Sequence, residues 1–294
     1  MPRRSASRRG GSSTPARSTG TAAVQALPAG PVPTSMTTVE LTTDSADPTG
    51  VMMLLDGAES SHLDLADPRR LLFEYMQQMM AALEEMFDPG ARLRAVHLGA
   101  AGCAFPRAVD ATWPGSRQLA VEIDARLAEY VRQWFDLPRS PALRIRVADA
   151  REAIEGVHPG SKDVIVRDVF AERRPPAHVC TVEFTQAAAA ALDAHGVYLL
   201  NTADRPPLDH ARREVATVLE VFPHVAVVAE PAVLKGRRYG NLVVIASMSP
   251  LPEASLDRRM RTLPVPATLL VGGRLGELVG TFPPLRDPSA PPAS

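Results

Sequence analysis

The sequence predicts an α/β protein: a seven-stranded, mostly parallel sheet with helices on both faces, preceded by a small β-sheet. Three observations carry this reading. Strand-like and helix-like segments alternate from Arg94 to Ala229, the pattern of βαβ units that build a parallel sheet. An apolar run, Ala95-Val96-His97-Leu98, meets a turn of small residues, Gly99-Ala100-Ala101-Gly102-Cys103-Ala104. Acids then close three successive strands, at Glu122, Asp149 and Asp168. In a parallel sheet such residues line one crevice at the carboxyl edge.

The elements follow in order. Residues 1–35 are Arg, Ser, Thr, Gly, Ala and Pro with almost no large apolar side chain. Such a stretch buries too little to offset its chain entropy and is expected to be a disordered tail. Residues 36–67 read as a small β domain with strands at 37–41, 50–55 and 61–65, and Asp56-Gly57 is a hairpin signal. Asp67-Pro68 reads as a helix start, cap then first helical residue. Leu72, Met76, Met79, Leu83 and Met86 repeat at helical spacing to about Phe87. The Met-rich stripe is core packing, not a cofactor box.

Strands are expected at 94–98, 118–123, 144–148, 163–169, 196–201, 224–229 and 241–246. Helices are expected at about 103–112, 125–135, 150–155, 178–194 and 208–222. The last two strands are joined only by residues 230–240, a link short enough to make them an antiparallel hairpin at the sheet edge. Residues 68–250 thus form one α/β domain. Residues 251–294 read as a Pro-rich C-terminal extension, with a short helix near 273–280 and a loose end from 283.

The glycines let a backbone approach a ligand closely. Glu122 follows Gly99 by twenty-three residues, the spacing that sets a carboxylate against ribose hydroxyls in nucleotide sites. Composition excludes other classes. A net charge of −1 gives no global drive toward nucleic acid or a membrane surface. No apolar run approaches a membrane span, and a cytoplasmic location is the expectation. Two distant cysteines, Cys103 and Cys180, make neither a disulfide framework nor a metal pattern, and no histidine pair has ligand spacing. No metal is expected.

Taken together, these segments resemble the spermidine synthase, or polyamine aminopropyltransferase, family, in a divergent actinobacterial-type form. The carrying residues are Val96-His97-Leu98-Gly99, Val121-Glu122-Ile123-Asp124, Val147-Ala148-Asp149-Ala150-Arg151, Asp163-Val164-Ile165-Val166-Arg167-Asp168 and Gly196-Val197-Tyr198-Leu199. The resemblance spans about residues 37–248. It implies a Rossmann-like S-adenosylmethionine-dependent transferase fold with a small N-terminal β-sheet. The implied co-substrate is decarboxylated S-adenosylmethionine or S-adenosylmethionine, with aminopropyl transfer to a small-molecule amine, and the implied assembly is a homodimer.

Under the resemblance, Gly99, Ala101 and Gly102 pass beneath the methionine-derived chain. Glu122 and Ile123 meet the ribose side, Asp149 and Ala150 read adenine, and Asp168 sits beside the reacting amine. Two departures stand out. The turn lacks the acid that holds the donor's terminal amine in the family, and Ala171 stands where the family has a second aspartate. Asp168 is then the leading base, with Asp204 and Glu172 as further candidates and Tyr75 and Glu74 near the acceptor. These losses keep two alternatives open, a methyltransferase and a catalytically silent nucleoside-binding protein. Structural readings also stay open for single residues. Glu122 has the alternative of a strand-end cap, Asp149 of a helix cap, Asp168 of a partner of Arg167 or Arg173, and Asp204 of an ordinary turn residue. Cys103 reads as a packed small residue, its alternative being a thiol activated by a helix N-terminus, and His97 reads as a core histidine.

Overall fold

The computed structural model describes residues 27–171 and 174–289. The tail expected over 1–35 lies mostly outside them. Its last part is ordered: Thr34 Oγ1 and the N–H groups of Ser35 and Met36 all donate to the Asp124 carboxylate.

The first sheet is antiparallel and follows chain order: β1 (Val32–Pro33), β2 (Thr38–Asp44), β3 (Asp47–Leu55) and β4 (Ala58–Asp64). Asp56 and Gly57 both take positive φ, 48° and 78°, the two-residue hairpin turn that their types favour.

Helix α1 (Glu74–Met86) starts six residues later than the sequence suggests. Asp67 makes a turn instead, accepting from the Arg69 N–H through its side chain and from the Arg70 N–H through its carbonyl. Arg70 then ion-pairs with Asp47 and Asp64, which holds the 65–73 segment against β3 and β4 rather than letting it wind. Leu72 is accordingly exposed, outside the Met stripe.

The second sheet holds eight strands: β5 (Arg94–Leu98), β6 (Arg117–Glu122), β7 (Leu143–Val147), β8 (Lys162–Arg167), β9 (Leu192–Asp204), β10 (His224–Ala229), β11 (Gly240–Ser247) and β12 (Thr268–Leu270). Their spatial order is β12-β10-β11-β9-β8-β5-β6-β7. Strands β5 to β9 run parallel, while β11 lies antiparallel to both β9 and β10. The seven expected strands are present, and β12 adds an eighth beside β10, outside the expected edge hairpin. The C-terminal residues are therefore part of the α/β layers and no mere extension.

Helices α2 (Ala104–Thr112), α3 (Ala125–Trp134) and α8 (Glu253–Arg261) share one face of the sheet with α1 and the small sheet. Helices α4 (Ala150–Glu155), α5 (Val182–Ala191), α6 (Asp209–Val221) and α9 (Gly272–Val279) cover the other. A four-residue helix, α7 (Pro231–Leu234), interrupts the β10–β11 link. The helix expected at 178–194 is shorter than predicted because Thr181 caps it at Phe184 N–H and Leu192 pairs with Lys162 in the sheet. The expected loose end from 283 is tied down through Asp287. The Leu285 carbonyl accepts from the Val182 N–H, the Leu285 N–H donates to Thr217 Oγ1, and Asp287 forks onto Arg151.

Candidate functional site

Four strand ends, those of β8, β5, β6 and β7, carry the sequence-predicted residues along one edge. The Gly-rich turn leaves β5 with Gly99 at φ +82°. A Cβ built there would lie 2.2 Å from the Asp168 carbonyl oxygen. Both facts require glycine, because the neighbour is backbone and cannot swing aside. Gly99→Ala is expected to cost about 2–4 kcal/mol, from left-handed strain plus overpacking, read as a shifted denaturation midpoint at unchanged slope. Gly102 has a different reason. Its Cβ would strike Leu63 and Ser61, and its N–H donates to Ser61 Oγ at 3.0 Å. Gly102 thus packs the turn against β4.

Glu122 ends β6 and reaches back to the turn. Its Oε2 accepts from Ala101 N–H at 2.9 Å, and Oε1 accepts from Asp124 N–H at 3.0 Å. Ala101 itself sits at φ 39°. The carboxylate fixes the turn and remains half-buried at the crevice. Beside it, Ile123 is 52% exposed and Val147, at the adjoining end of β7, is 51% exposed. Two uncovered aliphatic side chains flanked by carboxylates suit one face of a nucleoside, apolar across the base and acid-lined at its polar rim.

Asp149 caps α4 and meets a histidine. Oδ1 accepts from the N–H groups of Arg151 and Glu152, and Oδ2 lies 2.9 Å from His178 Nε2. Burial opposes its ionisation, but His178 and the two N–H groups outweigh that and hold the carboxyl below its usual range. Ala150, buried, opens α4. His178 went unpredicted because it approaches from 29 residues away.

Asp168 is the centre of the edge. Tyr75 Oη, from α1, donates to Oδ2 at 2.8 Å, and Asn201 Nδ2, from β9, donates to Oδ1 at 3.0 Å. Burial raises the Asp168 carboxyl above its usual range, with Asn201, Tyr75 and Arg167 pulling the other way. Burial and the same carboxylate push Tyr75 well up, so its hydroxyl stays a donor. Arg167 points to the opposite face, as strand alternation requires. There it forks onto Glu214 at 2.9 and 3.1 Å and donates to the Asn201 carbonyl at 3.0 Å. Asp168 is therefore no partner of Arg167.

Asp204 needs correction. It is buried, and it accepts N–H bonds from Arg205, His210 and Ala211 at 2.8, 3.0 and 3.0 Å. Oδ2 ties it to the first turn of α6 and Oδ1 to the turn before it, the capping role in place of the expected base. Cys103 is fully buried, and burial reinforced by Glu122 pushes its thiol up to about 12, the reverse of helix activation. His97 is buried against Gln118, with burial lowering it to about 4. Glu172 and Arg173 lie outside the described residues, and Glu74 is exposed. Among the described residues, Cys180, His210 and Glu214 place donor atoms within 4.8 Å of one another. The Arg167 guanidinium already occupies that cluster, which leaves no room for a second cation.

No family model matches the chain. Its fold superposes on a probable spermidine synthase from Corynebacterium glutamicum with a TM-score of 0.84 and 35% identity, covering 90% of this chain and 98% of that one. The chain belongs to the spermidine synthase family. A polyamine aminopropyltransferase from Neisseria meningitidis is 27% identical over 201 residues, 67% of this chain and 72% of that protein. An N-terminal histidine N-methyltransferase from Emericella nidulans is 29% identical over 154 residues, 48% of this chain but only 28% of that protein's length. A spermidine synthase-like fold thus stands beside transferases of two kinds. Among the described residues no helix is long and apolar enough to cross a membrane.

Proposed function

We propose that this spermidine synthase-like protein is a transferase that alkylates an amine with an adenosyl sulfonium, decarboxylated S-adenosylmethionine or S-adenosylmethionine, using Asp168 as the base. The observation that carries the reading is the Tyr75–Asp168–Asn201 arrangement. A carboxylate is pinned by two donors at the crevice, beside a glycine that keeps the turn within reach of the β8 end.

Each residue has a task under this reading. Glu122 and Asp149 accept from the ribose hydroxyls and the adenine amino group, and Ile123 and Val147 cover the base. Asp168 takes the proton that the attacking amine must lose, and its raised pKa suits that exchange. Alignment of amine and electrophilic carbon supplies most of the rest, because the sulfonium is already a good leaving group.

Methyl transfer is the second reading. The turn that follows β5 carries no carboxylate between Gly99 and Ala104, so nothing in it repels the carboxylate of intact S-adenosylmethionine. Calorimetric titration with S-adenosylmethionine, its decarboxylated form and methylthioadenosine separates the cases. Binding of at least one is expected, weakened about tenfold or more by Glu122→Gln, the loss of a charge-assisted ribose contact. Binding of none would sink the proposal, and the preferred sulfonium would choose between the two transfers.

A further inference from the structure

Beyond the reaction centre, at the carboxyl end of β9 and the amino end of its antiparallel neighbour β11, a cavity of about 370 Å³ opens, lined by Arg174, Ala203, Asp204, Arg205 and Tyr239. Its position follows from the sheet. Arg167 pairs with Leu200, so Asp168 and Asn201 lie side by side. Ala203 is two residues further along β9 on the same face, about 7 Å away. The nucleoside-side residues lie in the opposite direction, across β5 to β7. A molecule in this cavity therefore reaches Asp168 from the side away from Glu122 and Asp149.

The cavity's charge is basic. Asp204 lines it and keeps its negative charge, with three backbone N–H groups on its two oxygens, so the two guanidinium groups outnumber it. Arg174 and Arg205 are both exposed. Arg174 uses its backbone to bridge Ala171, and Arg205 gives its backbone N–H to Asp204. Among the described residues no carboxylate pairs with either guanidinium, and Glu230, the acid that opens the β10–β11 link, is taken by Arg238. Two guanidinium groups against one carboxylate leave the described lining net positive, which disfavours a diammonium acceptor and matches a carboxylate, bound through paired N–H donors.

We propose that the acceptor is an amine bearing an anionic group, an amino acid or a molecule ending in one, rather than a free diamine. Arg174 and Arg205 hold the carboxylate, and a short aliphatic chain brings the amine to Asp168. The inference rests on the proposed transfer and adds the acceptor class. In the step, the neutral amine's lone pair forms a bond to the carbon next to sulfur. The carbon–sulfur bond breaks with its electron pair going to sulfur, which becomes a neutral thioether. The ammonium proton passes to the Asp168 carboxylate and then to solvent.

The test compares γ-aminobutyrate with diaminobutane, equal in chain length and opposite in terminal charge. Binding of each to the full chain is titrated with and without methylthioadenosine, and turnover is followed with both sulfonium donors. The expected result is γ-aminobutyrate bound at least about tenfold more tightly. That preference is expected to vanish in the double variant Arg174→Gln, Arg205→Gln, whose methylthioadenosine affinity is unchanged and reports a folded protein. Equal or tighter binding of diaminobutane, binding of neither, or a preference indifferent to the double variant would overturn it. A wild-type chain that binds neither sulfonium donor nor methylthioadenosine would overturn the transfer itself, a separate readout from the acceptor comparison.

Discussion

Replacing Asp168 by Asn is expected to lower turnover by ~10²- to 10⁴-fold, the usual contribution of a positioned base, while leaving adenosyl binding intact. The substitution is well matched to its surroundings. The amide oxygen of Asn still accepts from Asn201 Nδ2, and its NH₂ donates to the Tyr75 hydroxyl in place of accepting from it. Geometry is kept and only the proton acceptor is lost. In the wild type, activity is expected to fall on acidification at a pH above the ordinary carboxylate range, because Asp168 must be ionised and its pKa is raised. Stability moves the other way. A carboxyl whose folded pKa exceeds its unfolded value stabilises the fold at low pH, and that contribution is lost as pH rises through the folded pKa. The Asn variant is therefore expected to be no less stable than the wild type at neutral pH. Normal turnover by this variant, with product identified by mass spectrometry, would remove Asp168 from the mechanism.

Glu214→Ala is expected to destabilise the protein by about 3–5 kcal/mol, measured by denaturant unfolding. Arg167 and Glu214 are both almost fully buried, and losing one partner strands a guanidinium in the layer between the sheet and α6. Burial alone would raise the Glu214 carboxyl, but the charge of Arg167 outweighs it and the net direction is downward. A depressed carboxyl contributes stability above its unfolded pKa and loses it as pH falls through the folded value. The wild type is thus expected to weaken in acid and the Ala variant to weaken less steeply. Activity should suffer as well, since Arg167 also holds the carbonyl of Asn201, whose side chain orients Asp168.

Much of the edge was legible before any coordinates. Glu122, Asp149 and Asp168 announce themselves because each ends an apolar run, and a parallel sheet brings such ends together. The partners that give them function were not legible. Tyr75 reaches Asp168 across 93 residues, and the helix carrying it begins where the Arg70 ion pairs release the chain rather than at the Asp67-Pro68 signal. Asn201 left a trace, a polar residue closing an apolar strand, but nothing local says that it faces Asp168. Asp204 misled because a carboxylate just past a strand looks the same whether it faces a ligand or caps the next helix. Strand β12 is three residues long and sits just past Pro264 and Pro266, too short to show alternation and flanked by residues that signal loops.

The order of strands along the crevice has a consequence for how such a protein diversifies. Glu122, Ile123, Val147 and Asp149 come from one continuous run of the chain, whereas Arg174, Ala203, Arg205 and Tyr239 come from a later one, with Asp168 between them. Under the proposed transfer, mutation can therefore remodel what is alkylated while the parts facing the alkylating agent stay untouched. A lineage built this way can change its product without first losing its reagent.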